Sequence, residues 1–445
     1  MCGSAASRSS WTISTPPWSA PYERRPVAGR GEPRRILLLA VRDITGVRTG
    51  RIVVLESAVR GLQRHGHHVD VVAITHEDGP TSWLGCDVHR IRPPRLGSLA
   101  ALVPCALLRG RCLNEALFSG RALTQQVREI ARELKSDVVV GDGLRAWDAA
   151  RAAGLPTVMH LDDLLSERYS SATFRDNNDS ILGYFGERVP RLTRPGAEAL
   201  ARALLGVEAE LARRRENLIA REARVVALTS REEAKRLSLR TGRDVLGIPM
   251  AVEQGTLCAP EQAAAGTLTF LGVLHYGPNI AALRFVRDEL VPELDKRGRT
   301  VRIRVIGKAS REQIQEFAGG PFEILGYVDD LPAEMSKSRM LLSPIQAGTG
   351  VKTKVLDALS IGLPVVATPM GVAGIPLRDG VSALIADTAS GLADAIEDLM
   401  DHPERARDIG RAGYEVLGTS MAPDQIYNAW GAAVEQAVSE ESRAH

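Results

Sequence analysis

Five apolar runs constrain this chain more than any single residue does: ILLLAV (36–41), VDVVAI (69–74), DVVVGD (137–142), PTVMHLDD (156–163) and RVVALT (224–229). Unbroken apolar runs of this length read as parallel strands covered on both faces. Between them lie helical patterns such as RALTQQVREIARELK (121–135), and Gly66 and Gly154 act as helix stops. Strands alternating with helices imply βαβ units in an open, doubly wound sheet. A strand within GRDVLGIPMAVE (242–253) leads into a linker at 254–266. The pattern then restarts with TLTFLGV (267–273), VRIRVIG (301–307), FEILG (322–326), RMLLSP (339–344) and LPVVAT (363–368). With 445 residues, the chain exceeds what one core organises.

The fold class is therefore α/β, with two facing Rossmann-like domains and a cleft between them as the natural ligand site. The expected divisions are a disordered leader (1–35), an N-terminal domain (36–253) with a charged helical insertion near 163–224, the linker, a C-terminal domain (267–438) and a tail (439–445). The last helical pattern, DQIYNAWGAAVEQAV (424–438), follows the second sheet and is placed to cross back onto the first domain.

Lys+Arg 56 against Asp+Glu 54 leaves a net charge of +2, which argues against a nucleic-acid binder. Cys2, Cys86, Cys105, Cys112 and Cys258 show no CxxC spacing, so reduced thiols in a cytoplasm fit better than a disulfide framework. The nine histidines form no metal-binding spacing, and HGHHV (65–69 without its first strand residue, His65 to His68) reads as a solvated turn. The apolar stretch LGSLAALVPCALL (96–108) is shorter than the ~20 residues that cross a bilayer and is broken by Pro104. It reads as a buried helix or loop, with peripheral membrane contact at most.

The stretch AGTGVKTKVLDALSIG (347–362) carries the chemistry. A strand ends at Pro344, a loop with Gly348 and Gly350 follows, and a helix is expected from about Val351 to Ile361. Glycines let a ligand approach the backbone, and a helix start offers unpaired N–H groups. Lys352 and Lys354 add cations where the helix dipole disfavours them, which is easier to explain if an anion binds there. Asp357 lies on the same face, roughly 9 Å along the helix from its start. A nucleotide would then place its diphosphate at the helix start and its ribose near Asp357. The bland alternative is a Lys354–Asp357 surface pair beside a glycine turn.

The region 268–438 resembles the donor-binding domain of retaining glycosyltransferases of family four, notably the sugar transferases found with exopolysaccharide gene clusters. The resemblance rests on FLGVLHYGPNIAALRF (270–285), VIGK (305–308), LGYVDDLPAEM (325–335), GTGVKTKVLDALSIGLPVVAT (348–368) and DHPERARDIGRAGYEVL (401–417), in that order. It implies the GT-B fold, with Lys308, Lys354 and the backbone at Gly350 and Val351 on the donor diphosphate. Tyr327 and Val328 would hold the base, Asp357 the ribose, Gly46 and Gly50 a donor-side loop of the first domain, and His160 the flank of the donor sugar; His160, Lys308 and Lys354 are the expected catalytic residues, with a hydrogen-bonded structural role as the alternative for His160. Two departures stand out: Thr349 replaces the first glutamate of the family's pair, and Asp357 is shorter than the second. The first half resembles the family more loosely.

The resemblance implies a retaining hexosyltransferase reaction with a nucleoside diphosphate sugar as co-substrate, and no metal, cofactor or protein nucleophile. The acceptor would be a sugar, a lipid-linked sugar or a small molecule. Two rivals share the fold: a nucleotide-sugar epimerase, and a catalytically silent nucleotide-sugar-binding subunit. Asp142 shares the topological position of His160 at a strand end.

Overall fold

The computed structural model describes residues 32–44, 50–93, 110–116, 118, 120–170, 194–346, 348 and 350–439. The expected leader up to residue 31, Gly46, the 96–108 stretch, Thr349 and the tail beyond 439 lie outside the described residues.

The first sheet contains β1 (Arg35–Ala40), β2 (His68–Ile74), β3 (Ser82–Trp83), β4 (Cys86–Ile91), β5 (Val138–Asp142), β6 (Thr157–His160), β7 (Val225–Leu228) and β8 (Leu246–Gly247). Their order is β3-β4-β2-β1-β5-β6-β7-β8, parallel except for the β3–β4 pair. The second sheet contains β9 (Thr267–Leu271), β10 (Arg302–Ile306), β11 (Phe322–Gly326), β12 (Met340–Ser343), β13 (Val365–Ala367) and β14 (Leu384–Ile385). It is parallel throughout, in the order β11-β10-β9-β12-β13-β14. Each sheet therefore has one point where its winding reverses, between β1 and β5 and between β9 and β12. These crevices, beyond the carboxyl ends of the strands, are where such sheets bind ligands.

The long apolar runs became the central strands because both their faces are covered. Leu37, Leu39, Val139 and Met159 pack to one side of the first sheet, against Trp147 and Leu123. Ile36, Leu38, Val138 and Val158 pack to the other, against helix α1 (Gly50–Arg64). Strand β4 was not legible because its sequence, CDVHRI, is only half buried. The strand expected within 242–253 is reduced to the two residues of β8. The charged insertion supplies α2 (Arg194–Glu222), and α3 (Arg231–Thr241) follows β7.

The last helices return the chain to the first sheet. In the second half, α4 (Gly277–Phe285) follows β9 and α5 (Thr353–Ser360) follows β12, and α6 (Pro403–Ser420) comes after β14. Helix α7 (Pro423–Ser439) then lies against α1. Glycines permit that close approach: a Cβ at Gly61 would stand 3.0 Å from the Cα of Tyr427, and one at Gly431 would stand 2.6 Å from the His65 ring. Trp430, 1% exposed, brings its ring 5.4 Å from that of His160. Behind the cleft the two crossings are tied together, Val252 N–H donating to the Met421 carbonyl at 3.1 Å.

This packing corrects the reading of HGHHV as solvated. His67 is buried and its Nδ1 accepts from the Arg34 N–H at 3.3 Å, while His65 packs beneath α7; of the three histidines only His68 is exposed. Among the described residues no helix is long and apolar enough to cross a membrane. Because Trp430 joins α7 to the sheet, Trp430→Ala should destabilise the protein by about 3–5 kcal/mol in urea denaturation. A loss below about 1 kcal/mol would show that α7 does not depend on this anchor.

Candidate functional site

In the second half the site is built at the β9/β12 crevice. The loop after β12 contains Gly348 (φ 134°) and Gly350 (φ 70°), backbone states that favour glycine. Lys352 takes the N-cap position with extended backbone, so α5 starts two residues later than the sequence suggests, and no side chain caps its first turn. Its leading N–H groups remain open to a ligand.

Both lysines of this turn are half-buried. Lys352 Nζ donates to the Gly350 carbonyl at 2.7 Å. Lys354 Nζ donates to Asn279 Oδ1 at 2.6 Å and lies 5.6 Å from the Phe270 ring centroid. Asn279 is itself aimed by a 2.9 Å bond from Nδ2 to the Val273 carbonyl. Lys354 thus turns to α4 and does not form the surface pair with Asp357. Burial, reinforced by Lys352, pushes the Lys354 ammonium down to about 7. Burial and the nearby Arg168 bring Lys352 down to about 8, against the pull of Asp163 and Glu233.

The other expected donor residues stand along the same strand edge. Lys308 follows β10 and is exposed, and its carbonyl accepts from the Leu274 N–H at 2.9 Å. Gly307 (φ 144°) donates to the Gly326 carbonyl at 2.8 Å, and a Cβ there would fall on the Gly272 carbonyl. The loops after β9, β10 and β11 are therefore packed backbone on backbone. Tyr327, 74% exposed, and half-buried Val328 follow β11. Asp357 is half-buried on the second turn of α5, beyond Val351 and Gly350.

The first half meets this edge at Gly50, the first residue of α1. A Cβ at Gly50 would stand 2.9 Å from Thr353 Cγ2, so the starts of α1 and α5 touch across the cleft. The next residue, Arg51, is buried and organises the strand ends behind it. It pairs with Asp142, reaches Asp162 at 2.9 Å, and donates to His160 Nδ1 at 3.0 Å and to the His160 carbonyl at 2.9 Å. A guanidinium only donates, so His160 Nδ1 is the acceptor and Nε2 carries the proton towards the Ile248 carbonyl, 3.3 Å away. Burial, with the charge of Arg51, pushes His160 down to about 3. His160 is 2% exposed, neutral, and engaged at both nitrogens. Burial and Coulomb attraction compete at Asp162, and the cationic neighbours, Arg51 first, hold it below the usual carboxylate range.

Arg51, Arg42, Arg168 and Asn279 were not singled out from the sequence. Arg42 lies 3.3 Å from Asp142, and Arg168 pairs with Asp163. The one available signal for Arg51 was an arginine beside glycine at the head of the apolar segment IVVL. Asn279 was inside a matched motif, but nothing local marked its side chain as the holder of Lys354. Among the described residues no group of three or more His, Cys, Asp or Glu is placed to hold a metal ion.

Two parallel-sheet halves, with strand edges facing and helix starts meeting in the cleft, define the GT-B class. Residues 265–402 match the family model of group 1 glycosyl transferases, and 49–245 match a glycosyl transferase 4-like domain. The chain belongs to the group 1 glycosyltransferases. A phosphatidyl-myo-inositol mannosyltransferase of Mycobacterium leprae is 30% identical over 189 residues, which is 40% of this chain. That match spans about half, 48%, of the relative's own length. Among solved structures, sucrose-phosphate synthase from Thermosynechococcus elongatus aligns with 92% of this chain and 100% of its own, at 14% identity and a TM-score of 0.64. Anabaena Alr3699/HepE in complex with UDP and glucose aligns with 90% of this chain and 99% of its own, at 17% identity and a TM-score of 0.60. At these identities the structural matches speak for the fold.

The depressed Lys354 has a consequence for stability. Below about pH 7 it is charged both folded and unfolded, and the folded state carries the full desolvation penalty; the penalty fades as the pH rises toward the unfolded value of 10.5. Any stabilisation from Lys354→Met should therefore be larger at pH 6.5 than at pH 9.5 in urea denaturation. An equal or reversed difference would show that Lys354 is not buried as a strained cation.

Proposed function

We propose that this protein transfers a sugar from a nucleoside diphosphate sugar to an acceptor hydroxyl, with retention at the anomeric carbon. One observation carries the reading: at the reversal point of the second sheet, half-buried Lys354 stands in the first turn of an uncapped helix start, and a neutral amide holds its ammonium. The acceptor oxygen replaces the diphosphate oxygen on the anomeric carbon, and the acceptor proton leaves on the diphosphate. Negative charge grows on that diphosphate, where Lys354, Lys308 and the N–H groups after Gly350 and Val351 would stabilise it. Tyr327 and Val328 would hold the base and Asp357 the ribose, while Gly50, with Gly46, would let the first half close onto the donor.

The described acids near His160 are Asp142, Asp162 and Asp163, and each is held by an arginine. That suits a reaction without a protein nucleophile. The role we assign to His160 is to brace Arg51 and the strand ends as a neutral ring, not to carry a proton. The likeness to a mannosyltransferase and to a fold crystallised with UDP and glucose supports the donor class. We place the reaction on the cytoplasmic side, with at most peripheral membrane contact, and assign the lysines the charge that a metal ion supplies elsewhere.

Incubation with a panel of UDP- and GDP-sugars, followed by mass spectrometry, should show slow release of one nucleoside diphosphate. EDTA should leave that rate unchanged, and Lys354→Ala should lower kcat/KM roughly 10²–10³-fold. Sugar isomers formed without release would make the protein an epimerase, and tight binding of an intact donor would make it a silent subunit.

A further inference from the structure

The first sheet has its own reversal point, and cations line that one too. Arg42 follows β1 and Arg145 follows β5, on the 3-10 turn Leu144–Ala146, so the two stand at the ends of the strands that flank the β1/β5 crevice. Arg168 enters from the short helix Leu165–Ser170. Around this edge four arginines face three aspartates. Arg51 takes Asp142 and Asp162, Arg168 takes Asp163, and Arg42 shares Asp142.

Arg145 is left over. Its guanidinium lies 5.3 Å from the Phe118 ring centroid, and no described carboxylate pairs with it. Burial pulls it below its ordinary value; Arg42 and Arg168 add to this, opposed by Tyr169 and Cys112. A desolvated cation beside two of its own sign is costly to keep. The cost is explained if the working state contains an anion, and a planar guanidinium seated on an aromatic ring presents its donors as a fork suited to phosphate or carboxylate.

Building on the transferase reading, we propose that Arg145, with Arg42, binds an anionic group carried by the acceptor. The donor diphosphate already has a cradle at the other reversal point, with Lys352, Lys354 and the start of α5. Two anion sites then oppose each other on facing strand edges, and the sugar passes between them. The chemistry is that of a phosphate ester, whether on a soluble polyol or sugar or in a lipid headgroup.

The test is calorimetric titration of inorganic phosphate into the full chain saturated with UDP or GDP, so that the second-half cradle is filled. Phosphate should still bind, at least tenfold more weakly in Arg145→Gln, with most of the affinity recovered in Arg145→Lys. Arg42→Gln, expected to weaken phosphate in the same direction, keeps the test alive if Arg145→Gln fails to fold. Absence of phosphate binding to the nucleotide-loaded protein, or equal affinity in Arg145→Gln, overturns the proposal. If neither nucleotide binds, it is the transferase reading that falls. Glycerol 3-phosphate in solution and vesicles containing phosphatidylinositol are then compared as competitors for the Arg145-dependent site. Displacement by the first points to a soluble acceptor, and by the second to a lipid headgroup. Displacement by neither means an adventitious ion only and overturns the acceptor assignment.

Discussion

Helices α1 and α5 begin at the same place, with Gly50 against Thr353, and both point their electropositive ends into the cleft. Lys352, Lys354, Arg51, Arg42 and Arg168 surround that meeting point, so positive potential accumulates where the halves join. The two strand edges handle it differently. On the first, Asp142, Asp162 and Asp163 neutralise most of the charge in a buried network. On the second, Lys354 is held by an amide oxygen. A paired buried charge stabilises the framework only if its partner stays, whereas one left with neutral partners is available to a ligand. On the proposed reading the first edge is mostly framework, with Arg145 its exception, and Lys354 on the second is the cation left for a ligand.

The framework is also mechanically connected to the far end of the chain. His160 is held between Arg51 and the Trp430 ring, and Trp430 belongs to a helix that follows the whole second sheet. Val252 and Met421 tie the two crossings between the halves. A displacement of the second half relative to the first must therefore pass through a segment that ends against the strand edge carrying Arg51 and His160. The interface has little slack there, because Gly61 lies against the backbone of Tyr427 and Gly431 against the His65 ring.

Much of this fold was legible because long apolar runs have few options. Strands such as ILLLAV and TLTFL, buried on both faces, can hardly be anything else. Strand β4 and the shortening of β8 were not legible, since their burial depends on neighbours rather than on their own pattern. The glycine loop and helix start after β12 were readable because glycines and cations before a helix are local chemistry. The arginine network was not, because Arg51, Asp142 and Asp162 meet only after three distant segments are brought to one edge. His65 was misread for a related reason, as the helix that packs on it lies hundreds of residues away.

The choice of partner for Lys354 shows how the donor edge is tuned. A carboxylate at the position of Asn279 would hold the ammonium fully charged, but it would also repel a diphosphate and need its own desolvation. An amide oxygen aims Nζ without neutralising it. Burial then lowers the ammonium to about 7, so near neutrality the empty site carries only part of its possible charge. On the proposed reading, an arriving diphosphate would favour the protonated form and draw the proton in with it. The full positive charge would then be present when a departing diphosphate needs it, and partly absent when the site is empty and two lysines at one helix start would repel each other.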